Sequence, residues 1–162
     1  MRGSLLKTAI FTLVVPGTVA FWFPLHLAAG EPSSPRFTFP WVLGLVPIAA
    51  GLAVYLRCAW DFAVSGLGTP APIDPPKTLV ATGLYRYVRN PMYVGVVAAI
   101  LGEALLYASP LLLFYGSTVF LGFLLFVVFY EEPTLARKFG ESYAAYRRAV
   151  PRFLPRPTPW TP

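Results

Sequence analysis

An all-helical integral membrane protein is the fold class this sequence predicts. Three features predict it: too few charges for a chain in water, uncharged runs long enough to cross a bilayer, and a one-sided distribution of arginine and lysine. Of 162 residues, 56% are hydrophobic, 16% aromatic and only 12% charged, against roughly 25% charged in soluble domains. The expectation is one membrane domain, 1–162, with four transmembrane helices at about 8–29, 38–60, 91–108 and 111–131. A cytosolic loop 61–90 and a cytosolic tail 133–162 complete it, the loop and a C-terminal helical tail forming the ligand site.

The first helix rests on the stretch from Thr8 to Gly30 and the second on that from Phe37 to Leu56, neither of which carries a formal charge. Each is close to the roughly 20 residues that span a bilayer core at about 1.5 Å per residue. The first is longer than the apolar core of a secretory signal and ends near Trp22 and Pro24, as an interfacially anchored helix does, so it is read as a retained span. Arg57 and Asp61, spaced i, i+4, are expected to pair at the end of the second. The tract from Pro91 to Tyr130 holds a single acid, Glu103, and is split by Ser109-Pro110. Proline disfavours helical geometry in the residue before it, so this tract reads as a hairpin of two spans. Glu103, deep in the third helix, is either a functional acid or a structural one hydrogen-bonded to a neighbouring helix.

Arg2 and Lys7 precede the first span; Lys77, Arg86 and Arg89 lie between the second and third; Arg137, Lys138, Arg147, Arg148, Arg152 and Arg156 follow the fourth. The other side holds only Arg36, so both termini are expected in the cytoplasm, at the plasma or inner membrane of a prokaryote. Anionic lipid headgroups then account for the net charge of +6 without nucleic acid. Cys58 is the only cysteine and His26 the only histidine. An internal disulfide, a cysteine metal cluster and histidine catalysis are therefore set aside.

The chemistry is expected in the cytoplasmic connections. The segment Asp61 to Arg89, with four prolines between Pro70 and Pro76, is too long for an ordinary interhelical link and reads as an ordered lid or half-buried loop. It ends in "YRYVRNPMYVG", where Asn90 is a good N-cap and Pro91 a good first helical residue. The free N–H groups of that helix start suit an anion, or the carboxylate of a zwitterion. The alternative is that Tyr85, Tyr87, Tyr93, Arg86 and Arg89 are interfacial aromatics and snorkelling arginines. The fourth helix ends in "FYEEPTLARKFG", placing Glu131 and Glu132 at the negative end of its dipole, where a cation should compensate them. Alternatively, one of them caps a short helix begun by Pro133. Because the two helices form a hairpin, the basic start and the acidic end lie at one level. Together they suit a ligand carrying a carboxylate and positive charges.

"RNPMYVG" followed by "EEPTLARKFGESYAAYRRAVPRFLP" resembles the membrane methyltransferase superfamily that includes isoprenylcysteine carboxyl methyltransferase and phosphatidylethanolamine N-methyltransferase. The likeness runs from about Gly66 to Pro155. Arg89, Pro91, Tyr93 and Gly95 match the Arg-His-Pro-x-Tyr-x-Gly pattern of the carboxyl methyltransferase branch. Asn90 stands in place of its histidine, and Asn-Pro-Met-Tyr is closer to the phospholipid-methylating branch. Glu131 and Glu132 match the family's acidic pair; Phe139-Gly140, Tyr143, Tyr146 and Arg147 match the tail behind it. The resemblance implies S-adenosylmethionine as cofactor, held by Tyr85, Arg89, Asn90, Pro91, Tyr93, Gly95, Glu131, Glu132, Tyr143 and Tyr146, with Glu132, Arg147 and Tyr93 in catalysis. It implies a lipid-like acceptor entering from the bilayer.

Tyr143, Tyr146 and Arg147 share one face of any helix from Glu141 to Ala149, so Arg147 either folds over the site with them or, like Arg148, anchors to headgroups. The tail "PRFLPRPTPWTP" reads as extended. Two other functions compete: a nicotinamide-dependent membrane reductase related to sterol reductases, and a nonenzymatic scaffold in which Gly95, Ala99 and Gly102 form only a helix-packing seam.

Overall fold

In a computed structural model, residues 10–30, 39–65 and 79–161 are described. Their regular structure is helical, with no strand among them. Helix α1 spans Ile10–Ala29 and carries a widened turn at Thr18–Trp22. Helix α2, Leu45–Ser65, follows a tight turn at Trp41–Gly44. Helix α3 is Pro91–Tyr107 and helix α4 is Pro110–Phe126; α4 passes through another widened turn, Val127–Glu131, into helix α5, Glu132–Ala149.

Among the described residues, three helices are long and apolar enough to cross a membrane: Ile10–Ala29, Trp41–Asp61 and the run Pro110–Ala149 that α4 and α5 form together. The expected third span is apolar but has only 17 residues, about 25 Å at about 1.5 Å per residue. The outward faces carry Leu13, Phe114 and Phe129 at 74%, 72% and 75% exposure, the reverse of a surface built for water.

The hairpin between α3 and α4 is the one the proline signal predicts, with a cap the sequence does not advertise. Ala108 adopts left-handed geometry (φ 50°, ψ 41°), and its N–H returns to the last turn of α3. The Ser109 Oγ then accepts from the Leu112 N–H at 3.1 Å, satisfying one free donor at the start of α4. Helices α2 and α3 cross through glycines. A Cβ on Gly95 would lie 2.7 Å from the Gly51 carbonyl oxygen, and one on Gly102 would lie 2.6 Å from that of Gly44. Only hydrogen at these positions lets the two backbones touch. Beside this seam Ala20, Tyr55, Ala59, Val96 and Ile100 join α1, α2 and α3 in one buried cluster.

Two boundaries differ from the sequence expectation. Helix α2 runs to Ser65, into the predicted loop 61–90, and Gly83–Arg86 in that loop is a helical turn; residues 66–78 lie outside the described ones, as do 8, 9 and 38 of the expected spans. Arg57 and Asp61 do pair, at 3.2 Å, on that last stretch of α2. Secondly, Pro133 does not begin a separate short helix. The widened turn before it absorbs the missing proline donor, so the run continues. The expected tail helix from Glu141 to Ala149 is present, as the second arm of a kinked element. It belongs to α5, which kinks at Gly140 (φ 52°, ψ −126°), a conformation open to glycine.

Candidate functional site

Two acids, three arginines and several tyrosines meet where α3 begins and α4 gives way to α5. Pro91 is the first residue of α3, but the Asn90 side chain does not cap it. Its Nδ2 instead donates to the Arg152 carbonyl at 3.1 Å, so the predicted N-cap role is corrected to an anchor for the chain beyond α5. The first N–H groups of α3 are left without a side-chain cap.

Glu132 is the hub. Arg89 Nη1 donates to its Oε1 at 2.9 Å, Arg152 Nε donates to the same oxygen at 2.7 Å, and Arg152 Nη2 donates to Oε2 at 3.1 Å. Arg147 Nη1 lies 3.9 Å from Oε2, with its side chain 56% exposed. Burial disfavours the Glu132 charge, but the Arg152 hydrogen bond and the charges of Arg89, Arg152 and Arg147 outweigh it and hold the carboxyl below its ordinary range. Arg89 also donates to the Tyr143 hydroxyl at 3.2 Å and through Nε to the Val150 carbonyl at 2.9 Å.

Glu131 has different company. Its Oε1 accepts from the Tyr93 hydroxyl at 2.6 Å, and the Tyr93 ring stacks on Phe123 with centroids 4.4 Å apart. No ion pair to Glu131 occurs among the described residues.

The chain beyond α5 is not a loose tail. From Val150 it turns back across the start of α3: the Arg89 N–H donates to the Pro151 carbonyl at 2.9 Å, the Arg156 N–H to that of Tyr87 at 3.0 Å, and the Trp160 N–H to that of Arg86 at 2.9 Å. Arg86 Nε returns a bond to the Trp160 carbonyl at 2.8 Å, and the Trp160 ring packs on Tyr146. Tyr143, Tyr146 and Val150 form a second small core with Leu79 and Leu135, and the Tyr146 hydroxyl donates to the Tyr85 carbonyl at 2.6 Å. Burial raises the Tyr85 phenol well above its usual value, so it stays protonated at neutral pH.

These elements enclose a cavity of about 530 Å³. Of the residues expected to hold the ligand or act on it, Tyr85, Arg89, Asn90, Tyr93, Glu131, Glu132, Tyr143 and Tyr146 line it. Three do not. Pro91 is buried at the helix start, Gly95 lies in the glycine seam against α2, and Arg147 stands at the surface beside Glu132. Glu103 is buried in α3 at 6% exposure, with Oε2 lacking a hydrogen-bond partner among the described residues, and it is not in the wall. The opposite end of the cavity is apolar, with Phe11, Val15 and Val19 of α1, Val96 of α3 and Phe123 of α4. Sequence reasoning missed Arg152, whose signal was only an arginine near two under-compensated acids.

The model of a family described as phospholipid methyltransferase matches residues 39–142. A methanethiol S-methyltransferase of Mycobacterium tuberculosis (strain ATCC 25618 / H37Rv) is 38% identical over 74 residues, covering 46% of this chain and 29% of that protein. A protein-S-isoprenylcysteine O-methyltransferase of Xenopus laevis is 31% identical over 126 residues, 76% of this chain and 43% of that one. A phosphatidylethanolamine N-methyltransferase of Pyrenophora tritici-repentis (strain Pt-1C-BFP) is 32% identical over 88 residues, 52% of this chain and 10% of that one. The chain thus spans less than half the length of each of these relatives. No solved structure matches it.

Proposed function

The chain belongs to the phospholipid methyltransferase family, and from that membership we propose that it transfers a methyl group from S-adenosylmethionine to a lipophilic acceptor at the cytosolic face of a membrane. The observation carrying this reading is that one cavity joins a charged end, Arg89, Tyr93, Glu131 and Glu132, to an apolar end between α1, α3 and α4.

The donor set fits the cofactor. A methionyl carboxylate suits the uncapped start of α3 and the guanidinium of Arg89. Glu131, free of ion pairs among the described residues, suits the ammonium and sulfonium charges. Tyr85, Tyr143 and Tyr146 offer ring faces to a flat base. When bound, S-adenosylmethionine supplies an electrophilic methyl carbon and a neutral thioether leaving group.

The chain's own residues then have to orient and to exclude water. In-line displacement needs the nucleophile about 3 to 3.5 Å from the methyl carbon and opposite the sulfur. The stacked pair Tyr93 and Phe123, between the acids and the apolar end, is suited to set that line. A carboxylate or thiolate acceptor needs no base, whereas an ammonium acceptor must first lose a proton, for which Glu131, bonded to Tyr93, is the best-placed carboxylate. The relatives' names span sulfur, oxygen and nitrogen acceptors. An apolar groove of Val19, Phe23, Tyr115, Val119, Gly122 and Phe123 shares Val19 and Phe123 with the cavity, which supports entry of an acceptor tail from the bilayer. On this reading α3 also crosses the membrane, making four spans.

Calorimetry of the detergent-solubilised chain with S-adenosylmethionine, and with a reduced nicotinamide as control, tests the reading. Binding of the first alone is expected, and Glu131→Gln should weaken it roughly tenfold to hundredfold, the loss of about 1.5 to 3 kcal/mol for a charged partner. Binding of the nicotinamide alone would make the chain a reductase; binding of neither would leave it a scaffold.

A further inference from the structure

The two adjacent acids are not equivalent, and an arginine twenty residues further along the chain sets them apart. Neighbouring carboxylates repel each other and resist double ionisation. Here Glu132 carries both hydrogen bonds of the Arg152 fork in addition to Arg89, while Glu131 is left with the neutral Tyr93 hydroxyl. Arg152 is also where the returning segment is fastened: its carbonyl accepts from Asn90, and the bonds of Pro151, Arg156 and Trp160 to residues 86–89 lie on either side of it.

We propose that Arg152 is a positioning residue: it saturates Glu132, pins the segment from Val150 to Trp160 across the start of α3, and leaves Glu131 as the carboxylate open to a cationic ligand. The proposal rests on the methyl-transfer reading for the ligand's identity. Its electrostatic half follows from the groups around Glu131. From α3 comes Tyr93, from the turn Gly83–Arg86 comes Tyr85, and from α5 come Tyr143 and Tyr146, all neutral phenols in the same wall. The nearest formal charges are Glu132 and, through it, Arg89, Arg147 and Arg152. Removing Arg152 leaves more uncompensated negative charge beside Glu131, which makes Glu131 harder to ionise. A cation held by Glu131 is then lost at a higher pH than in the unchanged protein.

The geometric half is that Arg152 uses a planar fork. Lysine would restore the charge and not the two parallel bonds. The two halves therefore separate in one experiment on the full chain in detergent, with S-adenosylmethionine titrated across pH 5 to 8 and backbone amide exchange followed in parallel. Arg152→Ala is expected to bind about tenfold more weakly at neutral pH, with its acid-side loss of binding shifted upward. Arg152→Lys should return that limb towards the unchanged protein. In the exchange arm, the Arg89, Arg156 and Trp160 amides should open faster in Arg152→Ala while α2 and α3 at the glycine seam stay protected. An alanine variant with an unshifted acid limb, or a lysine variant no better than alanine, overturns the electrostatic role. If the unchanged protein binds no S-adenosylmethionine, the methyl-transfer reading falls by itself. The exchange arm then still judges Arg152: amides that open no faster in the alanine variant overturn the pinning role.

Discussion

Glu132 is a buried carboxylate held by guanidinium groups from two distant stretches of chain, Arg89 and Arg152, with the nearby Arg147 adding to their charge. A carboxyl whose folded value is depressed adds stability above its unfolded value, about 4.3 for glutamate, and that stability is lost as pH falls through the folded one. Thermal unfolding in detergent should therefore show a midpoint that drops steeply below about pH 4.5 in the unchanged chain. In Glu132→Gln the slope should flatten and the midpoint at neutral pH should be lower, because Arg89 loses a buried partner. Equal acid slopes in the two proteins would mean that the arginines do not stabilise this charge. The residues of the site were legible unevenly. Arg89, Tyr93 and the two acids stand in short patterns beside a proline, so local chemistry marked them. Arg152 was invisible because its bond to Glu132 depends on the chain reversing after Val150.

Among the elements, α3 makes the closest contacts: glycines at Gly95 and Gly102 meet α2, and its first turn faces the cavity. Gly102→Ala drives a methyl group into the Gly44 carbonyl and the Ile48 side chain, and overpacking of this kind costs about 1 to 3 kcal/mol. Gly122→Ala on α4 is its control, since a Cβ there meets nothing within 4 Å and alanine gains up to about 1 kcal/mol in helix propensity. The unfolding midpoint should fall for the first and hold or rise for the second. A reversed order would remove the seam as the contact that sets α3. The hairpin could be read from Ser109-Pro110, but the unbroken passage of α4 into α5 could not. Pro133 looks like a stop, and only the widened turn before it shows how the missing donor is accommodated. Gly140, by contrast, separates the two arms of α5, and the helix expected from Glu141 begins directly after it.

At the scale of the molecule, charge and grease are divided. Leu13, Phe114 and Phe129 face outward from the helices, while Arg137, Lys138, Arg147 and Arg148 stand exposed on α5. The positive-inside bias predicts that α5 and the segment behind it lie in the cytoplasm. Cys58 is the sole cysteine and fully buried, so a cysteine placed at Thr158 is the natural probe. In sealed right-side-out vesicles of Cys58→Ser/Thr158→Cys, a membrane-impermeant maleimide should label only after permeabilisation. Labelling from outside would invert the orientation.

The returning segment has one more consequence, in time rather than in space. Synthesis runs from α1 towards Trp160, and segments fold as they emerge. All of the helices that wall the cavity are therefore made before the residues that stitch α3 to α5. A nascent chain that has reached Ala149 carries both acids and Arg89 but lacks the fork from Arg152. It is a bundle with an unfinished mouth. A chain cut short at Ala149 would keep Arg89 on Glu132 and Tyr93 on Glu131 but lack the two bonds that fasten the returning segment beside them.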